Sequence, residues 1–246
     1  MRVNYWVNLE PEVCYHIYNR SVGNTKLFTK KEDYTLFLNT WEKHLSKYLS
    51  TYAYCLIPNH FHFLIKCKKP DSTIRKFIVS ENTVKGNKYL NDEIPYNDFI
   101  ISQFKRFFNS YSTSTNIERK RTGALWQKKF KRIFIRDEEH FKFMLLYIHH
   151  NGIHHNLVSD YFDWPYSSFY EYLTSPSLGA SLTDGSASVR QLVKLAKEPV
   201  LSIFFNLGKE KTQQVFFEFH QTHKNGLGGY PNLQKLKDIA IDDGFQ

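Results

Sequence analysis

The chain has 246 residues, 41% of them hydrophobic, and its 33 basic and 24 acidic side chains leave a formal net charge of +9. No run approaches the ~18 consecutive apolar residues of a membrane span, and Met1-Arg2-Val3-Asn4-Tyr5-Trp6 lacks the apolar stretch of a signal peptide, so a cytoplasmic location is expected. Cys14, Cys55 and Cys67 are odd in number and show no Cys-x-x-Cys spacing, which argues against a disulfide framework or structural zinc and for reduced core residues.

In chain order, Val13 to Arg20 alternates Val13, Tyr15 and Ile17 with Cys14, His16 and Tyr18, the period of a strand. A loop through Gly23 and Asn24 leads to Thr29, the expected N-cap of a helix from Lys30 to Tyr48 with Tyr34, Phe37, Leu38, Trp41 and Leu45 at helical spacing. Thr51 to Ile57 and His60 to Cys67 form a hairpin about Pro58-Asn59, since proline suits the first turn position and asparagine the next. Asp71-Ser72 opens a shorter helix to about Ser80, and residues 81–97, polar with Gly86 and Pro95, read as a loop or insertion. Helical spacing returns from Phe99 to Thr115, Leu125 to Ile135 is strand-like, and Asp137 caps a helix to His155 with Glu138 and Glu139 in its first turn.

The order β-α-β-β-α-β-α predicts an α+β fold, a ferredoxin-like antiparallel sheet with helices on one face. Residues 1–173 make this domain, and residues 174–188, rich in Ser, Thr, Gly and Ala, make a linker. Residues 189–246 make a small helical C-terminal appendage, with helices expected over Val189–Leu207 and Lys209–His223. Its Phe204, Phe205, Phe216, Phe217 and Phe219 are expected to pack on the main domain.

The charge is localised. Residues 105–136 carry ten basic side chains and one acid, Glu118, while the rest of the chain is balanced, so this segment holds the whole net charge. Aromatic residues are interleaved with it: Phe104, Phe107, Phe108, Tyr111, Trp126, Phe130 and Phe134. A concentrated positive field with rings among it suits a polyanion, contacted by Lys and Arg at phosphates and by exposed rings at bases. The candidate DNA-binding residues are Lys105, Arg106, Arg119, Lys120, Arg121, Trp126, Gln127, Lys128, Lys129, Lys131 and Arg132.

His60-Phe61-His62 places two imidazoles on one strand face and Phe61 on the other. Such a pair is half of a divalent-metal site, although alone it is a common pattern on a solvated strand. In the helix from Asp137, at about 100° per residue, Phe141, Leu145, Ile148 and Gly152 share a face expected to pack on the sheet. Another face carries His140, Phe143, Met144, Tyr147, His150, Asn151 and His154. Tyr147 and Asn151 are an i, i+4 pair, a nucleophile candidate beside a third ligand candidate, with His150 in reserve. The neighbouring His149, His154 and His155 read, with His150, as a solvated or DNA-facing helix end. A tyrosine hydroxyl can attack a phosphodiester, and a divalent ion can neutralise and orient the phosphate. Two histidines suit Mn²⁺ or Zn²⁺, and an added amide oxygen with open water positions also admits Mg²⁺.

Leu56-Ile57-Pro58-Asn59-His60-Phe61-His62 and Tyr147-Ile148-His149-His150-Asn151 resemble the histidine motif and tyrosine helix of single-tyrosine HUH transposases. Tyr15-His16-Ile17-Tyr18-Asn19-Arg20, Leu125-Trp126-Gln127 and Asp163-Trp164-Pro165-Tyr166-Ser167-Ser168 agree in the same order, and the nearest branch is the REP-associated tyrosine transposases. The resemblance covers about residues 13–172. It implies a metal-dependent enzyme, an HUH single-strand DNA endonuclease and strand transferase acting at hairpins or palindromic repeats. It further implies Tyr147 as nucleophile forming a 5′-phosphotyrosine link, His60, His62 and Asn151 as ligands of Mg²⁺ or Mn²⁺, and a monomer or a homodimer exchanging the tyrosine helix. The chain departs from the family in having Gly152 after Asn151, where proline is frequent, which would loosen the helix end, and Asn156 where glycine is common. The alternative reading is a catalytically silent nucleic-acid-binding or regulatory protein of the same fold. A hydrolytic nuclease is disfavoured because paired carboxylates are not evident.

Overall fold

The computed structural model describes residues 4–23, 25–127, 129–173, 192–204 and 209–227. The expected linker at 174–188, with Asn24, Lys128, Phe205 and the appendage from residue 228 onward, lies outside the described residues. The elements are β1 (Cys14–Arg20), α1 (Lys31–Leu45), β2 (Leu49–Ile57), β3 (His60–Cys67), α2 (Ser72–Glu81), α3 (Val84–Leu90), α4 (Tyr96–Glu118), β4 (Lys131–Phe134), α5 (Glu138–His154), α6 (Lys197–Phe204) and α7 (Lys209–Thr222). The four strands form one sheet in the order β2-β3-β1-β4 with every pair antiparallel. This is the expected ferredoxin-like split βαβ arrangement, in which β3 lies between β1 and β2.

Strand alternation divides the core into two layers. Phe61 and Phe63 turn toward α1 and α4, where their rings meet Phe37, Trp41 and Phe108. His60 and His62 turn to the opposite face, where α5 lies. The helices thus cover both faces, and the expectation of one covered face holds only for α1 and α4. Helix α5 has 12 buried residues of 17, from His140 through Gly152, because α7 closes over its outer side. A helix apolar all round is a buried one.

Three local expectations are revised. Residues 81–97 are largely helical: the Thr83 hydroxyl caps α3 by accepting from the Gly86 amide at 3.0 Å, and Tyr89 stacks on Phe99. Gly86 is there for close packing, since a Cβ would sit 2.7 Å from Thr83 Oγ1 and 2.9 Å from Ile78 Cγ2. The last strand shrinks from 125–135 to Lys131–Phe134, because Trp126 and Phe130 leave the alternation to pack against Phe108 and Phe104 of α4. The N-cap of α1 is Lys30, not Thr29; Asp33 Oδ2 reaches back to accept from Thr29 N, Thr29 Oγ1 and Lys30 N.

The segment after α5 seals the β2 edge, with Leu56 N donating to Tyr166 O and Ser168 N to Tyr54 O, both at 2.9 Å. Gly152, expected to loosen the helix end, admits Trp164 instead, whose Cγ would lie 3.0 Å from an added Cβ. Asn156 takes the left-handed conformation at φ 54°, as its side chain allows. Helix α7 docks through Phe216, stacked on Tyr172 and Phe169, in accord with the packing expected of that ring. Beside it, His220 Nδ1–H donates to Phe216 O at 2.8 Å, so its Nε2 accepts from His149 Nδ1–H at 2.9 Å, and His149 Nε2 accepts from the Ser168 hydroxyl at 2.9 Å.

Burial depresses His220 from 6.5 to about 3. The unfolded chain therefore takes up a proton at this residue below about pH 6.5 while the folded chain does not, and stability present above that pH is lost as the pH falls toward 3. One such group removes about 1.4 kcal/mol per pH unit inside this window. Urea unfolding midpoints measured from pH 7 to pH 4.5 are expected to fall for the native chain and to fall less steeply for His220→Phe.

Candidate active site and nucleic-acid interface

The site lies on the α5-covered face of β1 and β3. Register pairs Tyr18 with His62 and Arg20 with His60, which brings the second set of the β1 alternation, His16 and Tyr18, onto the histidine face. The His16 and Tyr18 rings stack on that of His62 at 5.1 and 5.6 Å. On the helix side the Tyr147 ring stands edge-on to His62 at 5.7 Å and to His16 at 6.0 Å, and His155 stands 4.9 Å from His60. Tyr147, Asn151 and His155 are successive turns of one stripe, so Asn151 lies between the two helix residues that meet His62 and His60.

Two hydrogen bonds orient the strand histidines. His60 Nδ1–H donates to Asn59 Oδ1 at 2.7 Å, and His62 Nδ1 shares a 2.9 Å hydrogen bond with His16 Nε2. Both contacts use Nδ1, which assigns Nε2 to the site. Burial holds His60 and His62 well below 6.5 and His16 down at about 3, so all three are neutral at pH 7 and Nε2 of His60 presents a lone pair. Asn151 Nδ2–H donates to Tyr147 O at 2.8 Å, while its buried Oδ1 accepts nothing among the described residues. Neutral imidazoles anchored at Nδ1, with a bare amide oxygen on the covering helix, have the donor chemistry to fit a divalent cation. No group of three or more His, Cys, Asp or Glu side chains among the described residues could hold a metal ion, so such a site would need the Asn151 oxygen together with water or phosphate oxygens.

The remaining helix histidines do not form the solvated or DNA-facing end expected of them, apart from exposed His154. His149 is 2% exposed and tied to α7, and His150 points to Tyr161, with Nδ1 3.1 Å from the hydroxyl, away from the strand pair. His16 and His155 were missed as site residues. Alternation already put His16 with Tyr18, but only the pairing register reveals that their face is that of His62.

The basic segment separates into four groups. Arg119 donates to Asp33 Oδ2 at 2.8 Å and to the Lys26 and Leu27 carbonyls at 2.7 Å, and Arg106 is ion-paired with Glu81, so both brace the fold. Arg121 bonds Asn116 and Ala124, and Lys120 occupies a left-handed turn at φ 48°. Lys131 points to the histidine face, its Nζ 5.4 Å from the Tyr18 ring centre and 4.7 Å from that of Tyr5. Lys105, Trp126, Gln127, Lys129 and Arg132 meet around one cavity on the other side of the sheet.

No family model matches the chain. Over 120 residues it is 29% identical to a Haemophilus influenzae protein named a REP-associated tyrosine transposase, a match spanning 49% of this chain and 58% of that relative. The chain is thus similar in part of its sequence to one REP-associated tyrosine transposase. A solved REP-associated tyrosine transposase bound to a REP hairpin superimposes with a TM-score of 0.51 over 75% of this chain and 95% of that one. At 15% identity this second likeness is one of fold. No helix among the described residues is long and apolar enough to cross a membrane.

Because Asp33 is 2% exposed, removing its guanidinium partner leaves a buried carboxylate with no cation, held only by the Thr29 and Lys30 donors. Arg119→Ala is expected to cost about 3 kcal/mol in chemical denaturation. Lys105→Ala and Lys129→Ala, whose side chains form no ion pair among the described residues, should stay within about 0.5 kcal/mol of the native chain.

Proposed function

We propose that this protein is a transposase-like enzyme that cleaves and rejoins single-stranded DNA beside a hairpin, with Tyr147 as its nucleophile. The observation that carries the reading is the approach of the Tyr147 ring to His62 at 5.7 Å, with the bare Asn151 Oδ1 one turn further along the same helix. Its similarity to REP-associated tyrosine transposases, one of which was solved with a REP hairpin, supports a DNA substrate of that kind.

In this reading the Tyr147 oxygen attacks the scissile phosphorus and loses its proton. The P–O3′ bond breaks, the departing 3′-oxygen takes up a proton, and the 5′-phosphate stays on the tyrosine. Attack by a second 3′-hydroxyl reverses the sequence and joins strands, the phosphotyrosine bond conserving the energy of the cleaved one. His60 and His62 through Nε2 and Asn151 through Oδ1 would hold Mg²⁺ or Mn²⁺, which when bound supplies charge neutralisation and orientation of the phosphate. His16 fixes the His62 ring, and Lys131 beside Tyr18 offers a cation to a neighbouring phosphate. Tyr147 stands against His62 of the same chain, which supports the reading in which one protomer supplies the set.

A denaturing gel with a single-stranded hairpin oligonucleotide and Mn²⁺ tests the reading. The native chain is expected to form a denaturation-resistant adduct that His60→Ala and excess chelator abolish. Tyr147→Phe should bind the strand within about twofold and form none; an adduct undiminished in that variant would rule out the nucleophile. Strand binding without any adduct would favour the catalytically silent alternative.

Loss of the hydrogen bond that orients a ligating histidine characteristically weakens metal binding about 10- to 100-fold. His16→Ala is expected to weaken Mn²⁺ binding by this margin in calorimetry with protein alone, whereas His150→Ala, facing Tyr161, should leave it unchanged.

A further inference from the structure

On the sheet face away from the histidines, α4, the 123–130 segment and β4 enclose a cavity of about 620 Å³. Ligand-sized pockets run from about 300 to 1,000 Å³ and combine apolar walls with a few placed polar groups. Here Trp6, Phe108 and Trp126 supply aromatic walls, Lys105, Lys129 and Arg132 stand around them, and among the described residues no carboxylate lines the space. Phe108 is only partly buried and Trp6 is 46% exposed, so rings are presented to whatever enters. The Trp126 side chain is more than nine-tenths buried, and its indole N–H finds no acceptor among the described residues.

We propose that this cavity takes an unstacked nucleobase from the DNA strand that the active site cleaves; the inference rests on the DNA-processing reading above and adds a second, base-holding site to it. A base supplies what the cavity lacks, a flat π-face for the rings at its wall. The cations account for the attached phosphates, which a free aromatic metabolite would not need. Lysine 129 already sits 5.3 Å from the Trp6 ring centre at the cavity wall, a position shared between ring and phosphate. The two sites are connected at the sheet edge. Successive residues of β4 send Arg132 to the cavity and Lys131 to the histidine face, where Tyr18 leads to His62. A strand rounding the short β4 edge therefore meets cations on both sides, with one base parked in the cavity while a phosphate further along lies beside Tyr147.

Stacking on aromatic side chains adds to affinity base by base and tolerates any base, whereas phosphate contacts are blind to the base. The test compares a single-stranded oligonucleotide with an abasic strand of the same length and charge, using fluorescence anisotropy at fixed salt. The native chain is expected to bind the base-bearing strand at least tenfold more tightly. Ser112→Trp, which fills the cavity from the α4 side, should cut that advantage below twofold while leaving the abasic affinity unchanged. Equal affinity for both strands in the native chain, or an undiminished advantage in Ser112→Trp, overturns the proposal. Should Ser112→Trp fail to fold, photocrosslinking of the native chain to 5-iododeoxyuridine strands decides: labels on Trp6, Phe108 or Trp126 support the cavity, and labels confined elsewhere overturn it. A covalent adduct at Tyr147 without base preference would remove this inference alone, while failure of both strands to bind removes it together with the DNA-processing reading.

Discussion

Strand β3 serves two layers of different chemistry, and the rest of the molecule is arranged around that division. Its Phe61 and Phe63 are buried beneath α1 and α4, while His60 and His62 are buried beneath α5. A buried imidazole is tolerable only if it is neutral and hydrogen-bonded. Both conditions are met at Nδ1, by Asn59 in the turn that opens the strand and by His16 on its neighbour. Those same bonds aim Nε2 into the site, so the stability requirement and the chemical requirement are satisfied by one geometry. The polar face survives inside the protein because α5 and then α7 cover it, and α7 is held by a chain of neutral histidines that ends on Ser168.

Positive charge in residues 105–136 performs two unlike tasks. Arg119 and Arg106 neutralise buried or half-buried carboxylates that tie α4 to α1 and α2, and this work is independent of any partner. Lys105, Lys129, Lys131 and Arg132 remain around β4, where the last strand is four residues long and its flanking chain turns inward to pack Trp126 and Phe130. The shortness of that strand opens the space beside α4. A full-length edge strand would have continued the sheet there and closed the cavity.

Much of this protein could be read from its sequence. Alternation in 13–20 and 60–67, the Pro58-Asn59 turn, the Asp137 cap and the i, i+4 spacing of Tyr147 and Asn151 are local properties, and local sterics and hydrogen bonding decide them without help from distant residues. So β1, β3, α5, the ferredoxin-like order and the candidate His, His, Tyr and Asn set were legible. Local reasoning failed where tertiary contacts overrode composition. Gly86 and Pro95 suggested a loop, yet Thr83 capping and the Tyr89–Phe99 stack make α3 helical. Arg119 looked like its neighbours, and only the position of Asp33, 86 residues away, shows that it braces the fold.

The sequence by itself determined which side chains share a face, because periods of 2 and 3.6 residues follow from backbone geometry. Which faces meet was decided only by the tertiary structure. Register between β1 and β3 placed His16 and Tyr18 against His62, docking of α5 placed Tyr147 and His155 against the same strand, and α7 buried histidines that a helix end would have left in water. Register and docking are fixed by long-range burial, which no window of neighbouring residues contains.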